Sequence, residues 1–196
     1  MPLPILTCPM DFEKTVLKRR MIRKFQSTPV LEESQKRILD LMQHYPSAGF
    51  SQGVAFIVVK ETEKVRKLRR LNRLVGGAPL LIVPCVSEKL YHDRYHEPDK
   101  IQPDGTEIEW PVPYWHFDGG CSTLLLLLTA VDEGLVAYFA GAFRPDLLKK
   151  ELRIPEHFTP IGVVSVGYPD YPMHVPSPSL KRGRRPVRDV IHYERW

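Results

Sequence analysis

Arginines near the two ends of the chain are the residues whose type and spacing suggest a definite chemistry. Each end carries three arginines close together in sequence: Arg19, Arg20, Arg23, Arg182, Arg184 and Arg185. A guanidinium fork matches phosphate oxygens better than a lysine ammonium does. The two groups could therefore converge on one phosphate of a cofactor, form two solvated basic faces, or bind nucleic acid.

The distribution of charge favours an anion at the ends of the chain. The 196 residues have a formal net charge of +5, with 28 Lys and Arg against 23 Asp and Glu. Residues 1–24 and residues 181–196 each carry a net charge of +4, which leaves −3 for the residues between them. The acidic middle and the lack of a recognised nucleic-acid motif count against nucleic-acid binding.

A histidine pair offers a second chemistry. His92 and His96 are four residues apart, with an aspartate after the first, which is similar to the His-Glu-x-x-His motif of zinc proteases. Aspartate is too short to reach a metal-bound water well, Pro98 ends the helix, and only Glu97 or His116 offers a third ligand. The zinc hydrolase stays an alternative, but the pattern favours a polar helix and we predict no metal site.

Several enzyme classes are excluded because their motifs are absent. The chain has no Gly-x-Ser-x-Gly, no Gly-x-Gly-x-x-Gly and no P-loop, which excludes an ordinary hydrolase, a Rossmann dehydrogenase and a P-loop NTPase. No catalytic side chain can therefore be named.

The cysteines and the apolar runs predict a reduced, cytoplasmic, soluble protein. Cys8, Cys85 and Cys121 lie far apart, so neither a disulfide framework nor a cysteine-built zinc site is expected. The densest apolar run, 124–131, has eight residues, whereas a membrane span needs roughly 20. The first residues lack the basic start and apolar stretch of a signal peptide.

Hydrophobic periodicity predicts the elements that would position these residues. Helices are expected over 1–25, 31–45, 61–74, 88–96, 116–133 and 144–152, with the arginines of the first on neighbouring turns. Strands are expected over 54–59, 80–86, 135–140 and 161–167, the first buried on both faces. The helix at 116–133 should be buried on every side, because 124–128 is all leucine. Helices and strands mix without strict alternation, which favours a three-layer α/β or an α+β sheet.

The stretch 87–115 is predicted to be a lid. After a short helix, about 19 residues show no periodicity, and a loop of that length is usually functional. The aromatic residues Trp110, Tyr114 and Trp115 would suit a cover over a ligand. The alternative is a surface excursion whose aromatic side chains pack on the core.

Four segments of the chain follow one another in a recognisable order. Residues 19–25 read Arg-Arg-Met-Ile-Arg-Lys-Phe before Pro-Val at 29–30, and residues 46–52 read Pro-Ser-Ala-Gly-Phe-Ser-Gln before a strand. Asp-Gly-Gly at 118–120 opens the leucine-rich helix, with Gly-Leu at 134–135 and Gly-Ala-Phe at 141–143 after it. A last strand at 162–167 leads to a tail with Arg-Arg-Pro-Val at 184–187. In this order, over nearly the whole chain, the segments resemble the FMN-dependent nitroreductase family.

The resemblance implies an α+β fold of three α/β/α layers, with a mostly antiparallel central sheet flanked by helices, in an intertwined homodimer. It implies one domain, 1–196, that binds FMN at the dimer interface. The arginines of both ends would hold the phosphate, the 46–52 loop would lie along the flavin from the other subunit, and 134–135 would present backbone N–H groups. The implied FMN residues are Arg19, Arg20, Met21, Arg23, Pro46, Ser47, Ala48, Gly49, Gln52, Gly134, Leu135, Arg182, Arg184 and Arg185.

The implied reaction takes a hydride from a reduced nicotinamide through the flavin to a small acceptor, such as a nitroaromatic or a quinone. The substrate would contact Phe50 and the lid residues Tyr91, Arg94, Tyr95, Trp110, Tyr114 and Trp115. Two alternatives remain, a specialised flavin-fragmenting or dehalogenating member and, from another class, a basic nucleic-acid-binding module.

The chain departs from the family pattern at three places. Met21 replaces the usual serine, Phe50 the usual asparagine, and Gly53-Val54 the usual Pro-Trp. The first change removes a hydroxyl contact to the phosphate, and the second removes a polar contact to the flavin. FMN binding is expected to survive these changes, whereas the substrate and donor preferences of typical members do not carry over.

Overall fold

An antiparallel sheet forms the middle layer of the computed structural model, which describes residues 11–74 and 76–196. Its strands are β1 (Val54–Val59), β2 (Leu80–Val86), β3 (Val136–Gly141), β4 (Thr159–Pro160) and β5 (Gly162–Gly167). The main order is β1-β2-β5-β3, and the short β4 pairs with β2. Every one of these strand pairs is antiparallel.

Six α-helices of the described residues flank the sheet. They are α1 (Phe12–Lys18), α2 (Glu32–Leu41), α3 (Thr62–Leu71), α4 (Glu88–Tyr95), α5 (Tyr114–Asp132) and α6 (Pro145–Leu152). Local sequence explains several of their ends. The Glu61 carboxylate accepts from the backbone N–H groups of Glu63 and Lys64 and so caps α3, while Pro145 occupies the first turn of α6.

The two faces of β2 show why the fold has three layers. All of its residues are buried, and successive side chains point to opposite faces. Leu81 and Val83 join a core cluster with residues of α3 and α6, such as Leu68 and Leu148. Leu80 and Ile82 join a second cluster with residues of α2 and α5. The predicted α/β/α layering and antiparallel sheet are confirmed.

The strand β1 is correctly placed, but it is not buried on both faces as predicted. It is the outermost strand on its side of the sheet, and Val58 remains 37% exposed. Of its six residues only Val59 is buried. A continuous apolar run therefore indicated a strand here without indicating its position in the sheet.

The central helix α5 also differs from the prediction that it is buried on every side. Leu126 is fully buried against the sheet, but Leu124 is 50% exposed and Phe117 is 59% exposed. The sheet, α1 and α2 pack against α5, and Phe117 and Leu124 leave an apolar face of this helix exposed. Within the described ranges, no helix has the length and apolar character needed to cross a membrane.

Within the described residues, the helix predicted over 1–25 ends earlier than expected. It ends at Lys18, and residues 19–25 are extended, with Met21 bridged to Ala137 beside β3 and Phe25 bridged to Pro169. The extended course lets Ile22 and Phe25 enter the core, a tertiary gain that outweighs helical spacing. The arginines of this segment therefore do not lie on neighbouring helical turns. Residues 1–10 of the predicted helix, Cys8 among them, lie outside the described residues.

Candidate functional site

The 46–52 loop, which precedes β1, has an unusual backbone. Gly49, Phe50 and Gln52 have φ angles of 59°, 57° and 51°, all in the left-handed region. Glycine adopts this region readily, whereas phenylalanine and glutamine are strained there. Ser47 organises the turn, because its hydroxyl accepts from the N–H of Gln52 at 2.9 Å and its carbonyl accepts from the N–H of Phe50 at 2.9 Å. Strain of this kind clusters at functional sites.

A buried carboxylate on α5 fixes the loop. Asp118 is 2% exposed, and its Oδ2 accepts from the backbone N–H of Ala48 at 3.0 Å. The same oxygen accepts from the hydroxyl of Tyr91, on α4, at 2.5 Å.

The predicted lid packs directly on this loop. The ring of Tyr95 lies so close to Gly49 that a Cβ on that glycine would be 2.5 Å from it. Arg94 Nε also donates to the Gly49 carbonyl at 3.0 Å. The loop and the start of the lid are therefore in contact, as expected if both serve one site.

Arg94, predicted to contact substrate, is engaged with the lid itself. Its two terminal nitrogens donate to the Asp99 carboxylate at 2.6 Å each, and one of them also donates to Glu97 at 2.9 Å. The hydrogen bonds from Arg94 lower the pKa of Asp99 to about 2. The guanidinium therefore clamps the turn after α4, and its substrate contact stays a prediction.

The rest of the lid is held by Glu107. Its carboxylate contacts His92 Nδ1 at 2.8 Å and accepts from the indole N–H of Trp110. Burial raises the pKa of Glu107, but the hydrogen bonds from Trp110 and His92 outweigh it, and the net pKa is lowered. The ring of Trp110 packs edge-on against Tyr95 at 4.6 Å between centroids. The loop 97–113 is therefore anchored to α4 by its own side chains.

The structure divides the predicted lid residues into two groups. Tyr91 is fully buried and Trp115 is 8% exposed, so these two pack in the interior, and their substrate contact stays a prediction. Tyr114 and Trp115 belong to the first turn of α5 and not to a loop. Tyr95 and Trp110 are half-buried, and Phe50 is 72% exposed. For Tyr95, Trp110, Tyr114 and Phe50, too, the substrate contact stays a prediction.

The zinc alternative finds no geometric support. No three His, Cys, Asp or Glu side chains of the described residues are placed to hold a metal ion. His92 is engaged with Glu107, and the Nδ1 of His96 contacts the carbonyl of His92 at 2.7 Å. A cavity of about 490 Å³ does lie beside this helix, lined by His92, Trp115 and His116 among others.

The amino-terminal arginines lie along the free edge of β3. The Arg23 guanidinium sits over the Tyr138 ring, 4.6 Å from its centroid, in a cation–π contact. Arg20 donates to the carbonyl of Arg19 at 2.9 Å, and Arg19 is half-buried. Because Met21 bridges to Ala137, the arginines of this segment share one edge of the sheet with residues 134–135.

Gly134 and Leu135 close the end of α5, and their role toward the flavin stays a prediction. Their backbone N–H groups were expected to face a ligand, but Gly134 donates to the carbonyl of Val131 at 3.1 Å and Leu135 to that of Ala130 at 2.8 Å. With Gly134 at a φ of 71°, these bonds close the carboxyl end of α5. Both donors are thus used by the helix.

The arginines of the tail are exposed, and their contacts stay within the tail. Arg185 donates to the carbonyl of Asp189, and Arg188 lies 3.6 Å from the Asp189 carboxylate. The start of the tail is tied to the amino-terminal segment, where the N–H of Asp170 donates to the carbonyl of Lys24 at 3.1 Å and the N–H of Gln26 to that of Tyr168 at 3.0 Å. The convergence of Arg182, Arg184 and Arg185 with the arginines of the other end stays a prediction.

One of the predicted FMN residues, Gln52, lines a groove beside the sheet. It measures about 380 Å³ and lies between the end of α2 and β1, with Gln52, Tyr45 and Met42 in its lining. The sequence analysis assigned no role to Asp118, Glu107 or Asp99. A signal existed for Asp118 alone, because it is the one acidic residue in the stretch 114–131.

Comparison with known proteins gives a consistent result. The model of the nitroreductase family matches residues 16–94. A protein of Methanothermobacter thermautotrophicus, named as a candidate NADH dehydrogenase/NAD(P)H nitroreductase, is 29% identical over 95% of this chain and 88% of its own length. The protein named FMN reductase [NAD(P)H] of Bacillus subtilis is 26% identical over 93% of this chain and 73% of its own length.

Solved structures show the same likeness at the level of the fold. A nitroreductase family protein from Clostridium difficile is 26% identical, with a TM-score of 0.73 over 95% of this chain and all of its own. The B. subtilis NfrA1 nitroreductase, 20% identical, shares the fold with a TM-score of 0.76 over 94% of this chain and 74% of its own. The family match over residues 16–94, the relatives and the fold thus agree that the chain is similar to nitroreductase-family proteins.

Proposed function

We propose that the chain is an FMN-dependent oxidoreductase that uses a reduced nicotinamide as its electron donor. The observation that carries the proposal is the 46–52 loop, three of whose residues have positive φ angles and which contacts the lid directly. The B. subtilis relative is named for FMN reduction with NAD(P)H, which supports the same cofactor.

The residues of the site fit a flavin mononucleotide in two respects. Arg19, Arg20 and Arg23 provide fixed positive charge at the β3 edge, which suits a phosphate dianion. Pro46, Ser47, Ala48, Gly49 and Gln52 form a shaped backbone surface that a flat ring could lie along, and in this proposal Arg182, Arg184 and Arg185 complete the phosphate site.

The bound FMN would supply the redox chemistry, taking a hydride from the nicotinamide and giving it to a small acceptor of nitroaromatic or quinone type. The chain's own part is to bind, orient and cover. The loop sets the cofactor's position, and the lid, 87–115, with Tyr95 and Trp110 against the loop, excludes water from one side of the site.

The proposal includes a homodimer with FMN at its interface. The 46–52 loop leads into β1 at one edge of the sheet, whereas Arg19, Arg20 and Arg23 lie at the other edge, beyond β3. About 14 Å separates these edge strands at the usual strand spacing, so a second subunit offers the simplest way to bring both groups to one cofactor. The uncovered face of α5 and the exposed tail, with Trp196 97% exposed, supply apolar surface for it.

The first test is the visible absorption spectrum of the purified full-length chain, followed by chromatography of what acid releases. A yellow protein that releases about one FMN per chain, and that oxidises NADH or NADPH when a quinone is added, is the expected result. A colourless protein that takes up no added FMN contradicts the proposal. Sedimentation of the same sample tests the homodimer separately.

A further inference from the structure

The hydrogen bonds around Asp118 join three separate elements at one atom. The Oδ2 of Asp118, on α5, accepts from the hydroxyl of Tyr91, on α4, and from the backbone N–H of Ala48, in the loop. Asp118 and Tyr91 are 27 residues apart in sequence, and both are buried. The proposed function assigns no role to either residue as part of this pair.

Tyr91 also supports the loop through its ring. A Cβ on Gly53 would lie 2.3 Å from that ring, so the strand entry packs flat against it. The N–H of Ser87, which caps α4, donates to the carbonyl of Gly53 at 2.9 Å. Burial raises the pKa of Tyr91, and its bond to Asp118 raises it further, so the phenol stays protonated and remains a donor.

The backbone of the loop explains why such support is needed. Phe50 and Gln52 hold left-handed φ angles that residues with a Cβ avoid, and a strained conformation persists only where its surroundings fix it. The bond from Ala48 to Asp118 acts at the residue just before the first left-handed position, Gly49. Loss of that bond would let the loop relax toward ordinary backbone conformations.

We propose that Asp118 and Tyr91 are positioning residues that hold the 46–52 loop in the shape that receives the flavin. The inference rests on the proposed function for its ligand, but not for the loop geometry. It assigns to two buried side chains a role that neither performs by touching the cofactor. It also couples the lid helix α4 to the loop, since both share the Asp118 carboxylate.

The test uses the full chain in three variants and one control. Tyr91→Phe removes only the hydroxyl, Asp118→Ala removes the acceptor, and Asp118→Asn keeps a carbonyl oxygen in place of the carboxylate. Thr129→Val is the control, because Thr129 is also buried on α5 and its hydroxyl donates only to the carbonyl of Leu125, at 2.9 Å within the helix. Hydrogen exchange of the amides of residues 47–52 is measured without flavin, and the Kd for FMN is measured by fluorescence quenching.

The expected result is faster exchange of the loop amides in Tyr91→Phe and Asp118→Ala, with FMN binding weakened about tenfold by the loss of one hydrogen bond to a charged acceptor. Asp118→Asn should recover part of both effects, and Thr129→Val should show neither, even where its melting temperature falls equally. Loop exchange that matches the control overturns the inference, as does faster exchange with unchanged FMN affinity. A wild-type chain that binds no FMN refutes the proposed function, and the exchange data then decide the anchoring of the loop alone.

Discussion

The guanidinium of Arg94 donates to the carbonyl of Gly49 at 3.0 Å, so the lid and the 46–52 loop are joined by a direct bond between two residues. The same guanidinium holds Asp99 with two bonds of 2.6 Å each. Arg94 thus connects the loop on one side to the turn that follows α4 on the other. Opening of the lid requires that this connection break or move with the loop.

Replacing Arg94 by lysine should loosen the lid with little effect on global stability. Lysine keeps the charge but cannot reach the Gly49 carbonyl and both Asp99 oxygens together, because it lacks the planar fork. Limited proteolysis should then cleave within residues 97–113 faster than in the wild type, at an almost unchanged melting temperature. Arg66→Lys, at an exposed ion pair on α3, is the matched control. Equal cleavage rates in both variants would contradict the clamp.

The Arg94–Asp99 pair should also give the lid a dependence on pH. The pKa of Asp99 is lowered from 3.8 to about 2 in the folded chain. A carboxyl whose pKa is lower in the folded than in the unfolded chain stabilises the fold at pH values above the unfolded pKa. The stabilisation by Asp99 is therefore complete above pH 3.8 and is lost as the pH falls toward 2. Pepsin digestion should show the wild-type lid more resistant than Asp99→Asn at pH 4, and the difference should vanish near pH 2. A difference in resistance that grows as the pH falls would contradict this prediction.

Gly49→Ala should destabilise the chain and weaken flavin binding. A left-handed alanine costs about 1–2 kcal/mol, and its Cβ would meet the Tyr95 ring at 2.5 Å. Urea unfolding should show the loss, and FMN titration should show reduced affinity. Gly141→Ala is the control, because a Cβ there meets no atom within 4 Å and the backbone φ is not positive. Similar losses in both variants would mean that the position of Gly49 is not special.

The two leucines of α5 should respond differently to truncation. Leu126 is fully buried, so Leu126→Ala should lower the free energy of unfolding by about 2–5 kcal/mol. Leu124 is half exposed, so Leu124→Ala should change the free energy of unfolding of the single chain by less than about 0.5 kcal/mol. The same change should weaken self-association. Urea unfolding at two protein concentrations and sedimentation separate the effects. A Leu124→Ala chain that associates as tightly as the wild type would remove the α5 face from the proposed interface.

Removing one arginine from each end should weaken FMN retention. If Arg20 and Arg184 both reach the phosphate, the double variant with alanine at both positions should lose FMN affinity at least about tenfold. The control is a double variant with alanine at Arg66 and Arg70, on α3, which loses the same amount of charge at positions distant in sequence from both ends. Unchanged affinity in the first variant would reject the assignment of these arginines to the phosphate.

The sequence was informative where a pattern is local. The apolar run 80–86 predicts β2 as it is found, and Gly-containing residues 46–49 predict the loop. The helical spacing of 12–21 misled, because the gain from burying Ile22 and Phe25 depends on the distant β3 edge. Exposure on β1 and α5 depends on neighbours that no local pattern reveals.

The candidate site could be predicted only in part, because several of its contacts join residues that are distant in sequence. The segments that resemble the family mark the loop and the arginines, but the bond between Tyr91 and Asp118 joins residues 27 apart that share no motif. The N–H groups of Gly134 and Leu135 donate to carbonyls at the end of α5, which the motif alone did not reveal. The hydrogen-bond partners of these side chains could be identified only from the structure.

The extended course of residues 19–25 has a consequence for the solubility of the chain. Met21 makes the bridge to Ala137 on the outer side of β3, a strand of six residues whose other side is paired with β5. An uncovered strand edge is a template for pairing with other chains and for aggregation. The segment that carries the arginines therefore also covers part of this strand edge and limits strand pairing with other chains there.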